Sequence, residues 1–251
     1  MSRLDDHELA ASIATGAGQV LLRIRAEHAS AEARERKDAG DRGAQEFIAG
    51  ALAEARPADA VLSEEAADSA LRLRADRVWI VDPLDGTREF SEDGRTDWAV
   101  HVALWSAGSL VAGAVALPAL GRTLSTAAAP TLLPPYGGPI RLIVSRTRPP
   151  ALVETLAAQF GGVLVPMGSA GAKSMAVVRG EADAYVHSGG QYEWDSAAPV
   201  AVCRASGLHT SRIDGSPLTY NNENPYLPDL LICRPELADR LLEAIAASSS
   251  Q

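Results

Sequence analysis

Val78-Trp79-Ile80-Val81-Asp82-Pro83-Leu84-Asp85-Gly86-Thr87 is an apolar run that ends in two carboxylates, a glycine and a hydroxyl. Its four leading apolar residues leave no polar face, so the run reads as a strand inside a sheet. The end of such a strand is where an α/β protein usually places its chemistry. Pro83 fixes φ and turns the chain between the acids, so that Asp82 and Asp85 can point at one spot. Two carboxylates that close repel each other unless a cation or a proton sits between them. Gly86 lets backbone approach a ligand, and Thr87 can open a short helix whose free N–H groups suit an anion. A plain turn explains the proline and the glycine, but not two acids closing an apolar strand. Hard oxygen ligands facing an anion hole suit Mg²⁺ bridged to phosphate.

The whole chain allows such a site and excludes several others. At 251 residues and 47% hydrophobic content it can form one large domain or two packed halves. No stretch of 18 apolar residues occurs, so no membrane span or membrane partner is expected. The start, Met1 to Glu8, lacks a basic segment followed by an apolar core, and a cytoplasmic protein is expected. Cys203 and Cys233 lie in apolar segments without C-x-x-C spacing, which predicts two reduced, buried thiols rather than a disulfide or a zinc site. A net charge of −9 opposes binding to nucleic acid polymers. It does not oppose a small phosphorylated substrate, because a bound Mg²⁺ reverses the local field. No G-x-x-x-x-G-K-[ST] loop argues for nucleoside triphosphates.

Outward from the central run, the periodicity predicts a helix over 5–25, with Leu9, Ile13, Ala17, Leu21 and Ile24 on one stripe and Asp5 or Asp6 as its cap. Residues 28–40 are charged and lack an apolar stripe, so a solvated loop is expected there. A second helix is expected from about 41 to 55. Residues 60–62 read as a short strand that delivers Ser63-Glu64-Glu65, and 98–105, 110–117 and 123–127 as further strands. Four prolines and two glycines in 128–139 mark the best boundary, giving an α+β half over 1–135 and an α/β half over 136–251. In the second half, strands at 140–145, 163–165, 182–187 and 230–233 alternate with helices at 149–160, 170–180, 194–206 and 235–246. His101 reads as a core residue, and Trp98 and Trp105 as core or interface residues.

Glu64-Glu65, Trp79 to Thr87, and Glu193-Trp194-Asp195-Ser196-Ala197-Ala198 together resemble the signatures of the inositol monophosphatase superfamily, in order and spacing over most of the chain. Asp85-Gly86-Thr87-Arg88-Glu89-Phe90, Gly168-Ser169-Ala170-Gly171-Ala172-Lys173 and Glu193-Trp194-Asp195 are similar to the branch that hydrolyses 3′-phosphoadenosine 5′-phosphate, a by-product of sulfate assimilation. The resemblance implies a layered α-β-α-β-α fold of the α/β class and a Mg²⁺-dependent phosphomonoesterase. It implies one ion on Glu64, Asp82 and the Leu84 carbonyl, a second on Asp82, Asp85 and Asp195, and a third sharing Glu64.

By the same resemblance Gly86 and Thr87 contact the phosphate. Thr87 works with an acid at the start of the second helix to orient the attacking water, and Asp41 fits that place. The family's Thr-x-Ala before this acid is replaced here by Asp38-Ala39-Gly40. Gly168, Ser169, Lys173 and Asp195 are expected along the substrate pocket, and Ser145-Arg146 near the second phosphate or the ribose. Inhibition by Li⁺ and a homodimer are further implications. Inositol 1-phosphate, fructose 1,6-bisphosphate and histidinol phosphate remain alternative substrates. A noncatalytic metal- or nucleotide-binding regulator is the alternative of another class.

Overall fold

In the computed structural model, which describes residues 4–248, the run around Val78–Val81 lies between two cores. It belongs to β2 (Arg77–Asp85), whose neighbours are the parallel β1 (Ala60–Ser63) and the antiparallel β3 (Ala99–Ser106). Trp79 and Val81 face one way, onto Leu9, Ile13 and Leu21 of α1 (Asp6–Glu27) and Ile48 and Leu52 of α2 (Ala33–Ala55). Val78 and Ile80 face the other way, onto α5 (Ala170–Val178) and α6 (Glu193–Ala205). Burial on both faces is why no polar alternation appears in this strand. β4 (Ser109–Leu117) and β5 (Arg122–Ser125) complete a sheet of order β1-β2-β3-β4-β5.

A second sheet, of order β7-β6-β8-β10-β9, is built from β6 (Arg141–Ser145), β7 (Val163–Met167), β8 (Ala184–Tyr192), β9 (His209–Ser211) and β10 (Tyr226–Cys233). Its inner face shares the α5–α6 core through Ile143, Tyr185, Leu230 and Ile232. Its outer face is covered by α4 (Ala151–Phe160) and α7 (Ala238–Ser248). The layers are therefore α-β-α-β-α, and one continuous core joins the two sheets. Asp5 caps α1 as its position implied: its carboxylate accepts from Glu8 N at 2.8 Å, and Glu8 answers by accepting from Asp5 N at 3.2 Å.

Two expectations are corrected. The loop expected over 28–40 is in its second part helix, since α2 begins at Ala33. Arg36 explains the difference. It is 5% exposed, and its guanidinium donates to His28 O, Ala29 O and Ser91 O at 3.1, 2.6 and 3.0 Å. A charged residue thus takes the inward position that an apolar one would have advertised. In addition, β10 starts at Tyr226 rather than at 230, with an irregularity between Leu227 and Asp229 where Pro228 cannot donate to the ladder. Cys203 and Cys233 are free and buried, as expected. No helix among the described residues is long and apolar enough to cross a membrane.

Candidate active site

β2 ends inside the molecule, and its pairing with β3 shifts register between Asp82 and Asp85. The irregularity lets two acids three positions apart face the same side. Gly86 follows at φ 87°, in the left-handed region, where a Cβ would also stand 3.0 Å from Ser169 Cβ. Thr87 opens α3 (Thr87–Ser91), as the sequence implied. Its hydroxyl makes no hydrogen bond with other described residues, and the side chain is half-buried.

Asp195 comes from the first turn of α6, in the other half of the chain. Its carboxylate accepts from Tyr192 N at 2.6 Å. Carboxylate oxygens of Asp82, Asp85 and Asp195 all lie within 4.8 Å of one another. Such oxygens at this spacing could hold a hard divalent cation. Leu84, whose N–H donates to Asp82 Oδ1 at 3.0 Å, turns at the same place. Glu64 is exposed as a residue, but its carboxyl reaches the cluster, close to Asp82. Burial there, and the charges of Asp195, Asp85 and Glu65, hold it up at about 7. Burial and the facing Glu64, Asp85 and Asp195 push Asp82 well above the usual carboxylate range. Burial raises Asp195 to about 6, with Asp85 adding to it.

Asp85 behaves differently. Burial would raise it, but the adjacent His101 and then the hydrogen-bond donors around it win and hold it at about 2. Gly171 N donates to its Oδ2 at 2.6 Å and Ala170 N to its Oδ1 at 3.2 Å, while the Ser169 hydroxyl also donates to Oδ2. The carboxylate of the first half thus occupies the N-terminus of α5 in the second half, where ionised oxygens are favoured. His101 Nε2 stands 3.2 Å from Asp85 Oδ2. Burial pulls the imidazole pKa down, but Asp85 outweighs it and raises it.

The other expected residues fall into two groups. Lys173 is 7% exposed on α5, with Nζ 5.2 Å over the Tyr185 ring and no hydrogen-bond partner among the described residues. Burial lowers its pKa, partly opposed by Asp85, Glu89, Asp195 and Asp97. Gly168 and Ser169 form the turn before α5, where Gly168 N donates to Asp97 at 2.6 Å. Asp41 lies well inside α2, not at its start, in a helix that packs on α3. Burial, Glu65 and Asp38 hold it at about 7. Ser145 and Arg146 have protein partners: the hydroxyl accepts from Arg148 N at 3.3 Å, and the guanidinium pairs with Glu89 and Glu92 at 2.9 Å each.

Sequence reasoning missed the partners that hold the cleft. Asp97, Glu89 and His101 sit beside it, but each contacts residues 57 to 93 positions away in sequence. Glu193, part of the signature, does not face the cleft. It is fully buried, and its carboxylate accepts from Asn221 N, Asn222 N and Asn222 Nδ2 at 2.7–2.8 Å.

The crowded acids make stability depend on pH when no cation is present. Asp82, Glu64 and Asp195 have raised values, so the folded chain keeps protons that the unfolded chain releases near pH 4. Their contribution is present at low pH and is lost as pH rises, through about 6 for Asp195 and about 7 for Glu64, with Asp82 acting in the same direction. Asp85 is depressed and already contributes fully above pH 4, so it adds no slope there. The melting temperature in EDTA should fall by roughly 5 °C or more from pH 5.5 to 8. Saturating Mg²⁺ should flatten that slope. A melting temperature independent of pH in EDTA would contradict this geometry.

A two-sheet, five-layer α/β protein whose strand-end and helix-end acids converge on one cation-sized space defines a class. This chain belongs to the inositol monophosphatase family, whose pattern matches residues 5–130 and 142–250. A 3′-phosphoadenosine 5′-phosphate phosphatase of Mycobacterium bovis is 53% identical over 241 residues, covering 92% of this chain and 89% of that protein. The protein of the same name from Mycobacterium leprae is 51% identical over 256 residues, covering 97% and 94%. Among solved structures, CysQ of Bacteroides thetaiotaomicron superposes with a TM-score of 0.76 at 26% identity, covering 91% of this chain and 97% of that one.

Proposed function

We propose that this phosphatase uses Mg²⁺ to remove the 3′-phosphate of 3′-phosphoadenosine 5′-phosphate, leaving AMP. The observation that supports the reading most is the meeting of Asp82, Asp85 and Asp195 from both halves of the chain within 4.8 Å. These acids, with Glu64 and the Leu84 carbonyl beside them, would hold two or three ions. Mg²⁺ bound there supplies the positive charge that acidifies a water and stabilises the leaving oxygen. The chain's own groups do the rest. The Thr87 hydroxyl, without a partner among the described residues, is available to the phosphate or to the attacking water. Asp41, at about 7, is suited to accept a proton from that water near neutrality. Gly86 and Thr87, where α3 begins, would meet the phosphate.

The choice of substrate draws on the two mycobacterial relatives and on Lys173, a buried cation beside the same acids without a hydrogen-bond partner among the described residues. Lys173→Ala should raise KM for the bisphosphate about tenfold and move KM for a substrate with a single phosphate much less, because only the first loses a charge-assisted contact. Equal changes on both would remove Lys173 from substrate reading. The assignment as a whole is tested by phosphate release from 3′-phosphoadenosine 5′-phosphate, inositol 1-phosphate, fructose 1,6-bisphosphate and histidinol phosphate, each with Mg²⁺ or EDTA. Faster release from any of the other three than from the nucleotide would overturn it.

A further inference from the structure

His101 is a polar residue in the middle of an apolar strand, with no exposed surface. On β3 it lies directly across from Asp82. Facing residues of an antiparallel pair share one side of the sheet, with Cβ atoms about 5 Å apart. The ring therefore projects from the first sheet into the layer of α5 and α6. There Nδ1 is 3.0 Å from the Trp194 carbonyl, and since a carbonyl only accepts, Nδ1 donates. Nε2 stands 3.2 Å from Asp85 Oδ2, at ion-pair distance but without the alignment of a hydrogen bond. The third wall is Gly171, where a Cβ would come within 2.0 Å of Nε2. The imidazole is thus wedged between β2, α5 and α6. It touches one acid of the triad and the residue immediately before another.

We infer that His101 is a positioning residue that sets the spacing between Asp85 and Asp195. The two acids arrive from different halves of the chain, and nothing in their own strand or helix fixes the gap between them. A rigid ring with one nitrogen on the α6 backbone and the other against Asp85 fixes it. A leucine would fill the same space and hold neither group. Outer contacts of this kind typically change metal affinity by 10- to 100-fold when removed. The inference rests on the acids being the metal ligands proposed above.

The test is Mn²⁺ binding by titration calorimetry, with thermal melts in EDTA run alongside. His101→Leu should weaken Mn²⁺ about tenfold or more. His101→Asn, which keeps a donor for the Trp194 carbonyl but withdraws from Asp85, should weaken it less. KM for the nucleotide at saturating Mg²⁺ should stay near wild type in both. If His101→Leu does not fold, a several-fold loss in His101→Asn supports the same conclusion. A folded variant that melts lower yet binds Mn²⁺ as wild type does would reduce His101 to a structural residue and overturn the inference. Wild-type protein that takes up no Mn²⁺ or Mg²⁺ would overturn the metal reading itself, and this inference with it.

Discussion

Asp82→Asn should reduce phosphate release by at least ~100-fold at saturating Mg²⁺ while leaving the protein folded. Asp82 is 1% exposed, and its carboxyl is crowded by Glu64, Asp85 and Asp195. An asparagine has nearly the same shape and keeps an oxygen to accept from Leu84 N, the one hydrogen bond that ties Asp82 to its own turn. What it lacks is the second anionic oxygen. The cluster then has one charge fewer with which to bind a cation, and one fewer to repel its neighbours. The metal-free variant should therefore melt at or above the wild-type temperature, and Mg²⁺ should raise its melting temperature less. Near-normal turnover in this variant would sink the assignment of the cluster as the catalytic centre.

Glu193→Ala should produce the opposite pattern, a large loss of stability with little change in substrate recognition. The side chain is fully buried and satisfies two backbone N–H groups and one amide in the 219–224 segment. Asn221 in turn accepts from Arg72, 1% exposed, which also bonds Asp68. Removing the carboxylate leaves these buried donors without their acceptor and loosens the segment that carries Asn221 against Arg72, which keeps its ion pair with Asp68. Breaking a buried charged network from one side costs about 3–5 kcal/mol, which in a chain of this size lowers the melting temperature by roughly 10 °C. Glu193→Gln, which keeps one acceptor, should fall between. The folded fraction should keep its KM, because Glu193 points away from the cleft. A variant that melts with the wild type, or loses nucleotide binding while folding normally, would show that Glu193 has been placed wrongly.

Much of this arrangement was legible in the residues. β2 announced itself because it splits its apolar residues between two cores, and the acids at its end had no structural excuse. The alternation of strands and helices after 140 was visible because each element has its own apolar pattern and its own proline or glycine punctuation. The first turns of α2 were not, because Arg36 is buried by hydrogen bonding and not by hydrophobicity. His101 was read as a core residue, and it is one. Its position between Asp85 and Trp194 depends on contacts 16 and 93 residues away that no local pattern encodes. Arg146 was placed near the second phosphate or the ribose, and no local pattern told that it would pair with Glu89 and Glu92. Glu193 carried a family signature without touching the cleft. A motif marks positions that must not change, and burial demands constancy as firmly as chemistry does.

The grip of α5 on Asp85 gives the molecule an internal gauge. The amide hydrogens of Ala170 and Gly171 end on that carboxylate and on no other group of the first half. They lie at the first turn of a helix, where amides without a partner exchange with solvent quickly. Deuterium uptake at these two positions therefore times how often the two sheets come apart at the acid cluster. It can be followed in protein without substrate, without metal and without turnover.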